Sequence, residues 1–218
     1  TVYNHKLLFW QDHISRLKIS LKHLNIKYNA SFDALYLKCL ELIKKNDLKE
    51  GILYIHISRG IAKRNHNWSN SLVPSIIISC TIKKTFNPKA KKISLISESD
   101  IRWKKCFIKS VSLLPNVLLK QKALLNNAQE CIMLDDRGFV TEATTSNVWI
   151  IKNNSLFTTP LSSNILAGVT RKKIIEFARI SKIKVIEKKF KISDIYSANG
   201  TFISNSSALL LEAKSLNK

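Results

Sequence analysis

The chain has 218 residues, 45% of them hydrophobic, and carries 36 Lys and Arg against 15 Asp and Glu, a formal net charge of +21 at pH 7. That is enough chain and apolar content for one large domain or two smaller ones, each with a buried core. The lysines are scattered in pairs (Lys44-Lys45, Lys83-Lys84, Lys91-Lys92, Lys172-Lys173, Lys188-Lys189) and never form a block of five or six, so the charge reads as a bias toward Lys, Ile and Asn rather than as a dedicated polyanion-binding tract.

No apolar run has the length of a membrane span, and no basic-then-apolar leader opens the chain. The expectation is a cytoplasmic protein with neither nucleic acid nor membrane as a partner. Charge alone supports the alternative of a basic nucleic-acid-binding module, whose binding would weaken steeply with salt. Cys39, Cys80, Cys106 and Cys131 lie far apart, with neither metal-ligand nor redox-pair spacing, as expected of reduced thiols in the cytosol. The chain opens on Thr1 rather than Met and closes on "KSLNK", from which its ends are expected to be cut short.

From Trp10, "WQDHISRLKISLKHLNI" places Ile14, Leu17, Leu21 and Leu24 at helical spacing. A second helix is predicted through "FDALYLKCLELIKKN", with Ser31 as its N-cap and Phe32, Leu35, Cys39 and Leu42 on one face. "GILYIHISRG" alternates as a strand, and "SIIISCTIKK" reads as a buried β-branched run. "KKTFNPKAKK", with Pro88, reads as a linker. Beyond it come strand-like "KISLISESD" and "CFIKSVS", then a helix over about 118–127 opened by Pro115 and Asn116. Two hairpins follow, one turning at Asp135 to Gly138 and one at Asn153-Asn154. A helix from Thr170 is predicted to turn Ile174, Phe177 and Ala178 inward, and strands "KVIEKKF" and "GTFISNSS" close the chain.

Several segments carry residues with a chemistry. A strand over "CFIKSVS" would set Lys109 on one face with Phe107, Val111 and Leu113. Burial would lower its pKa, as a carbonyl-attacking lysine requires; an edge strand would let it snorkel to water instead. "TEATTSN" groups Glu142 with Thr144, Thr145 and Ser146. A carboxylate buried there needs a cationic or proton-bearing partner, whereas an exposed one would belong to a hydroxyl-rich turn. "LAGVTR" delivers Gly168 and Thr170 to a helix start, whose free amides suit a phosphate. "HISR" puts His13 and Arg16 one turn apart on one helix face. "SRGIAKRNH" offers Arg59, then Arg64 and His66 at alternate positions, a pattern suited to a carboxylate or to an ordinary basic loop.

The segments "YIHISRGIAKRNH", "DIRWKKCFIKSVSLLPNVLLKQKAL", "VTEATTSNVWIIKNNSLFTTPLSSNILAGVTR" and "FISNSS" together span nearly the whole chain. In that order they resemble the fold-type IV pyridoxal-phosphate enzymes, the class IV aminotransferase family, and within it the members acting on D-amino acids. The resemblance implies an α+β fold of two domains. A small N-terminal α/β domain would cover 1–84, cut short at its start, and a linker 85–90. A larger pseudo-barrel α/β cofactor domain would cover 91–218, cut short at its end. It implies pyridoxal 5′-phosphate as cofactor, a homodimer, and transamination between a D-amino acid such as D-alanine and a 2-oxo acid such as 2-oxoglutarate.

By the same resemblance Lys109 is the lysine that bonds the cofactor and moves the substrate proton, and Glu142 keeps the ring nitrogen protonated. Arg16, the amides of Val169 and Thr170 and the hydroxyl of Ser206 would hold the phosphate, and Leu166 would pack behind the ring. Arg64 and His66 would bind the substrate carboxylate from the neighbouring subunit. The chain departs from the family pattern at Ala143, usually Gly, and at Asn205, usually a small hydroxyl residue. A branched-chain L-amino-acid aminotransferase or an aminodeoxychorismate lyase would share this scaffold; "RGIAKRNH" resembles the D-specific carboxylate trap.

Overall fold

Two short strands, β1 (Val2–Tyr3) and β2 (Lys6–Leu7), form a tight hairpin through Asn4 and His5, both in the left-handed backbone region (φ 49° and 60°). Helix α1 (Trp10–His23) buries Ile14 and Leu21, and α2 (Phe32–Lys45) buries Leu35, Cys39 and Ile43, the stripes that a 3.6-residue period dictates. Ser31 caps α2 as expected, its hydroxyl accepting from the amides of Asp33 (3.1 Å) and Ala34 (3.4 Å). Strands β3 (Glu50–Ser58) and β4 (Ser75–Ile82) pair antiparallel and complete a sheet of order β2-β1-β3-β4. Ile14, Leu35 and Cys39 pack with Leu53, Ile55 and Ile78 from the helix-facing side of that sheet.

The run "SIIISCTI" is less covered than its composition predicts. Ile77 is 62% exposed within the chain because only alternate residues of the edge strand β4, such as Ile78, reach the helices, and Ile82 is 81% exposed at the strand's end.

The chain divides into two compact units, Thr1–Phe86 and Asn87–Lys218, and the computed structural model describes residues 1–84 and 91–218. The expected linker at 85–90 lies outside the described residues.

In the second unit, β5 (Lys91–Ser99) leads through an irregular segment to α3 (Leu114–Leu125). This helix begins earlier than the sequence suggests, with Pro115 in its first turn. Strands β6 (Glu130–Leu134), β7 (Val140–Ala143), β8 (Asn147–Lys152) and β9 (Ser155–Thr158) follow as the two expected hairpins. Gly138 (φ 75°) closes the first, where a side chain would be strained, and left-handed Asn153 and Asn154 close the second. Next come α4 (Val169–Ile180), β10 (Lys184–Glu187), α5 (Ile192–Tyr196), β11 (Gly200–Asn205) and β12 (Leu209–Leu216).

These strands form one sheet of order β10-β9-β8-β11-β12-β5-β6-β7. It curls until the edge strand β7 meets the chain beyond β10: the Val140 amide donates to Phe190 O (2.9 Å), and Phe139 bridges Lys191. The inner face holds Ile93, Leu95, Ile132, Val148, Ile150 and Ile203. Outside, Leu119 and Ala123 of α3 cover Cys131 and Met133.

Three expectations change here. "CFIKSVS" is a succession of turns and irregular chain rather than a strand. Phe177 is 58% exposed within the chain, and Ile175 with Ala178 forms the buried stripe of α4. The chain closes on β12, a strand the sequence reading did not place, which joins β11 on one side and β5 on the other.

Candidate active site

Glu142, on the edge strand β7, is 6% exposed, which rules out the exposed-turn reading. Its Oε2 accepts from the Leu166 amide (3.1 Å) and from Asn147 Nδ2 (3.3 Å), and its Oε1 accepts from Arg102 Nη1. Arg102 is itself buried and also grips Asp100, through Nε to Oδ1 (2.9 Å) and Nη2 to Oδ2 (2.7 Å), and Nη2 donates to Asn164 O (2.9 Å). Thr141 Oγ1 donates to Asp100 Oδ2 (2.7 Å).

One guanidinium thus lies between two carboxylates. Burial raises the Glu142 carboxyl to about 7, against the pull of Arg102. Asp100 is also pushed up by burial, but its hydrogen bonds and charge pairing with Arg102 outweigh this and lower its pKa. Sharing one cation leaves the cluster with a negative charge in excess when both acids are ionised, the condition in which a buried carboxylate seeks a further proton-bearing partner.

Asn147 ties this carboxylate to a helix start. Its Nδ2 also donates to Leu166 O (3.1 Å), and Gly168, the N-cap of α4, packs against it so closely that a Cβ there would meet Asn147 Oδ1 at 2.1 Å. Val169 and Thr170 open α4, both buried, so their amides belong to the first turn, where no intrahelical acceptor exists. On β11, Ser204 stands opposite Asn147, and Ser206 lies in the turn that follows. The second unit therefore brings Glu142, Leu166, the start of α4 and the β11–β12 turn to one end of the curled sheet.

Lys109 stands in a setting the sequence did not suggest. It is exposed, on a segment pinned at both ends to β7 and the turn after it: Arg102 binds Glu142, and Asn116 Nδ2 donates to Thr144 O (2.7 Å). The apolar neighbourhood expected around it belongs to Cys106 and Ile108, which are buried on the same segment. The lysine is presented to its surroundings rather than sequestered.

The hydroxyls grouped with Glu142 in the sequence serve other partners. Thr144 and Thr145 both donate to Glu130, a carboxylate only 2% exposed that also accepts from the Cys131 amide (3.0 Å) and pairs with Lys120 (3.5 Å). Ser146 accepts from Asn205 Nδ2 (2.9 Å).

Three expected residues lie in the first unit. Arg16 faces His13 on α1, Nη2 lying 3.5 Å from Nδ1, as the spacing predicts. Arg64 and His66 are exposed and sit in an irregular segment rather than a strand. Arg59 is committed elsewhere, donating to the carbonyls of Leu24 and Asn25 and stacking over Trp68 at 4.0 Å.

Arg102 was missed because its partners are distant in sequence, Glu142 above all. The available signal was Asp100 and Arg102 at alternate positions just past an apolar strand, with a buried carboxylate still lacking a cation.

The family model described as Amino-transferase class IV matches residues 1–216. A D-alanine aminotransferase of Bacillus licheniformis is 33% identical over 216 residues, 99% of this chain and 76% of that relative. Among solved structures, a proposed 4-amino-4-deoxychorismate lyase of Legionella pneumophila superposes with TM-score 0.89 at 26% identity, covering 100% of this chain and 81% of that one. A branched-chain amino acid aminotransferase of Escherichia coli superposes with TM-score 0.85 at 25% identity, covering 99% and 70%. The curled sheet with its small companion unit is the fold-type IV architecture, and the chain belongs to the class IV aminotransferases.

Proposed function

We propose that the chain is a pyridoxal-phosphate-dependent transaminase, a cytosolic homodimer that exchanges amino groups between a D-amino acid such as D-alanine and a 2-oxo acid such as 2-oxoglutarate. The observation that carries this reading is the buried cluster of Asp100, Arg102 and Glu142, which is one positive charge short and is tied through Leu166 and Asn147 to the start of α4. A flat ligand with a protonated ring nitrogen at one end and a phosphate at the other answers both needs. The donor set fits pyridoxal 5′-phosphate: Glu142 Oε1 keeps acceptor capacity beside its single bond from Arg102, and the first amides of α4 favour a dianion.

When bound, the cofactor supplies an aldehyde that captures amino groups and a ring that accepts the electron pair released at the substrate Cα. Glu142 holds a proton at the ring nitrogen, and Arg102 and Asp100 fix the carboxylate that does so. Lys109 would be the attachment point and, once displaced by the incoming amino group, the base: its freed amine would take the proton from Cα and return it at the aldehyde carbon, and the reverse order would serve the incoming 2-oxo acid. The amides of Val169 and Thr170 with the Ser206 hydroxyl hold the phosphate, and Leu166 packs against the ring. The roles expected of Arg16 at the phosphate and of Arg64 and His66 at the substrate carboxylate belong to the same proposal and rest on the motifs alone.

The preference for D-amino acids is supported by the likeness to the D-alanine aminotransferase. Protein reconstituted with cofactor and given 2-oxoglutarate should consume D-alanine in preference to L-leucine. Turnover of L-leucine alone would favour a branched-chain enzyme. Failure to form a borohydride-reducible adduct would refute the cofactor reading.

A further inference from the structure

The turn that follows β11 is held by one side chain. Asn205 Oδ1 accepts from the Ser207 amide (3.0 Å), the Ser207 hydroxyl (3.0 Å) and the Ala208 amide (2.8 Å), while its Nδ2 donates to the buried Ser146 (2.9 Å). The backbone amides can only donate, so the orientation of the side-chain amide is fixed: oxygen into the turn, nitrogen toward Ser146. The turn also needs such support, because it exits through Leu209 at φ 58°, a conformation unfavourable for a residue with a Cβ. Ser146 in turn accepts from Asn205 in the segment that leaves Glu142, where the Ala143 amide donates to Ser146 O (2.7 Å). One neutral side chain therefore sets the spacing between the turn carrying Ser206 and the strand carrying Glu142.

We propose that Asn205 is a positioning residue for the phosphate end of the site: it orders Ser206 against the start of α4 and, being uncharged, leaves that end open to a dianion. The inference rests on the reading above that Ser206 and the α4 amides take the phosphate. Its ligand class is a phosphate monoester joined to a ring that meets Glu142. A carboxylate at position 205 could keep every acceptor contact in the turn, with the Ser146 hydroxyl rotated to donate, but it would set a negative charge beside the phosphate. Removing the side chain would free the turn from Ser146.

The test is equilibrium binding to the apoprotein, followed by tryptophan fluorescence, with pyridoxal 5′-phosphate and with pyridoxal as the paired probes. Wild-type protein should prefer the phosphorylated probe by about a hundredfold or more, and Ser206→Ala should reduce that preference. Asn205→Asp should lower the ratio of the two affinities by about tenfold, and Asn205→Ala by about threefold or more, with pyridoxal affinity nearly unchanged. A purely structural role would weaken both probes alike or lower only the melting temperature, and that result overturns the proposal. It is also overturned if Ser206→Ala erodes the preference while both Asn205 variants retain it. A wild-type protein that does not distinguish the probes would instead remove the phosphate-cup reading, and this inference with it.

Discussion

Arg102 holds Glu142 and Asp100 with one guanidinium, donating to Oε1 of the first and to both oxygens of the second. Replacing it by Met leaves two buried carboxylates facing each other without a cation. Arg102→Met is expected to destabilise the protein by about 3 to 5 kcal/mol. Arg102→Lys keeps the charge and loses the fork, and is expected to retain the fold while turnover falls by about tenfold or more. Denaturant midpoints and initial rates on the two variants separate these effects.

Glu142 gives the apoprotein a defined pH response. Its carboxyl is raised from an ordinary 4.5 to about 7 by burial, so the stabilising, protonated form is fully present below about pH 4.5 and is lost as pH rises through about 7. The full span corresponds to about 3 kcal/mol. Asp100 acts in the opposite sense, since its lowered carboxyl loses stabilisation as pH falls below its ordinary value of 3.8, so the two windows do not overlap. Between about pH 5 and about pH 8, wild-type apoprotein should lose melting temperature relative to Glu142→Gln, and cofactor should flatten the difference.

Lys109 is exposed and outside any strand. Lys109→Ala should therefore change folding stability by less than about 0.5 kcal/mol, while abolishing both transamination and the borohydride-fixed adduct. Chemical denaturation, mass spectrometry after reduction and an activity assay on one preparation check all three.

Gly168, the N-cap of α4, leaves no room for a Cβ beside Asn147. Gly168→Ala forces that contact apart and should cost about 1 to 3 kcal/mol. It should also weaken cofactor binding, because Asn147 orients Glu142 and the displaced helix start carries Val169 and Thr170. Binding isotherms on the variant, alongside its melting curve, measure both consequences.

Much of the fold is written in local pattern. Ser31 ahead of an apolar stripe announces α2, and Asn153-Asn154 between two β-branched runs announces the β8–β9 hairpin, because cap and turn chemistry act over a few residues. The segment around Lys109 misled because Phe107, Lys109, Val111 and Leu113 alternate like a strand, yet among the described residues it pairs with no strand. Phe177 sits at a helical spacing that fits the core but falls at the margin of the buried stripe set by Ile175 and Ala178. The site divides the same way. Gly168 and Thr170 declare a helix start by themselves, whereas the partnership of Arg102 with Glu142, or of Asn205 with Ser146, is made only when strands distant in sequence pair in one sheet.

The segment from Arg102 to Asn116 behaves as an arch with both feet set in the same wall, one at Glu142 and the other at Thr144. A lysine in the role proposed for Lys109, bonded to a cofactor, released and then ferrying a proton, has to swing its amine in every cycle. Held within a ladder of strands, its backbone would be tied on either side; at the crown of an arch, the travel of the amine leaves the footings undisturbed. In the roles proposed for them, Glu142 and its partners Arg102 and Asp100 can thus stay still while Lys109 moves.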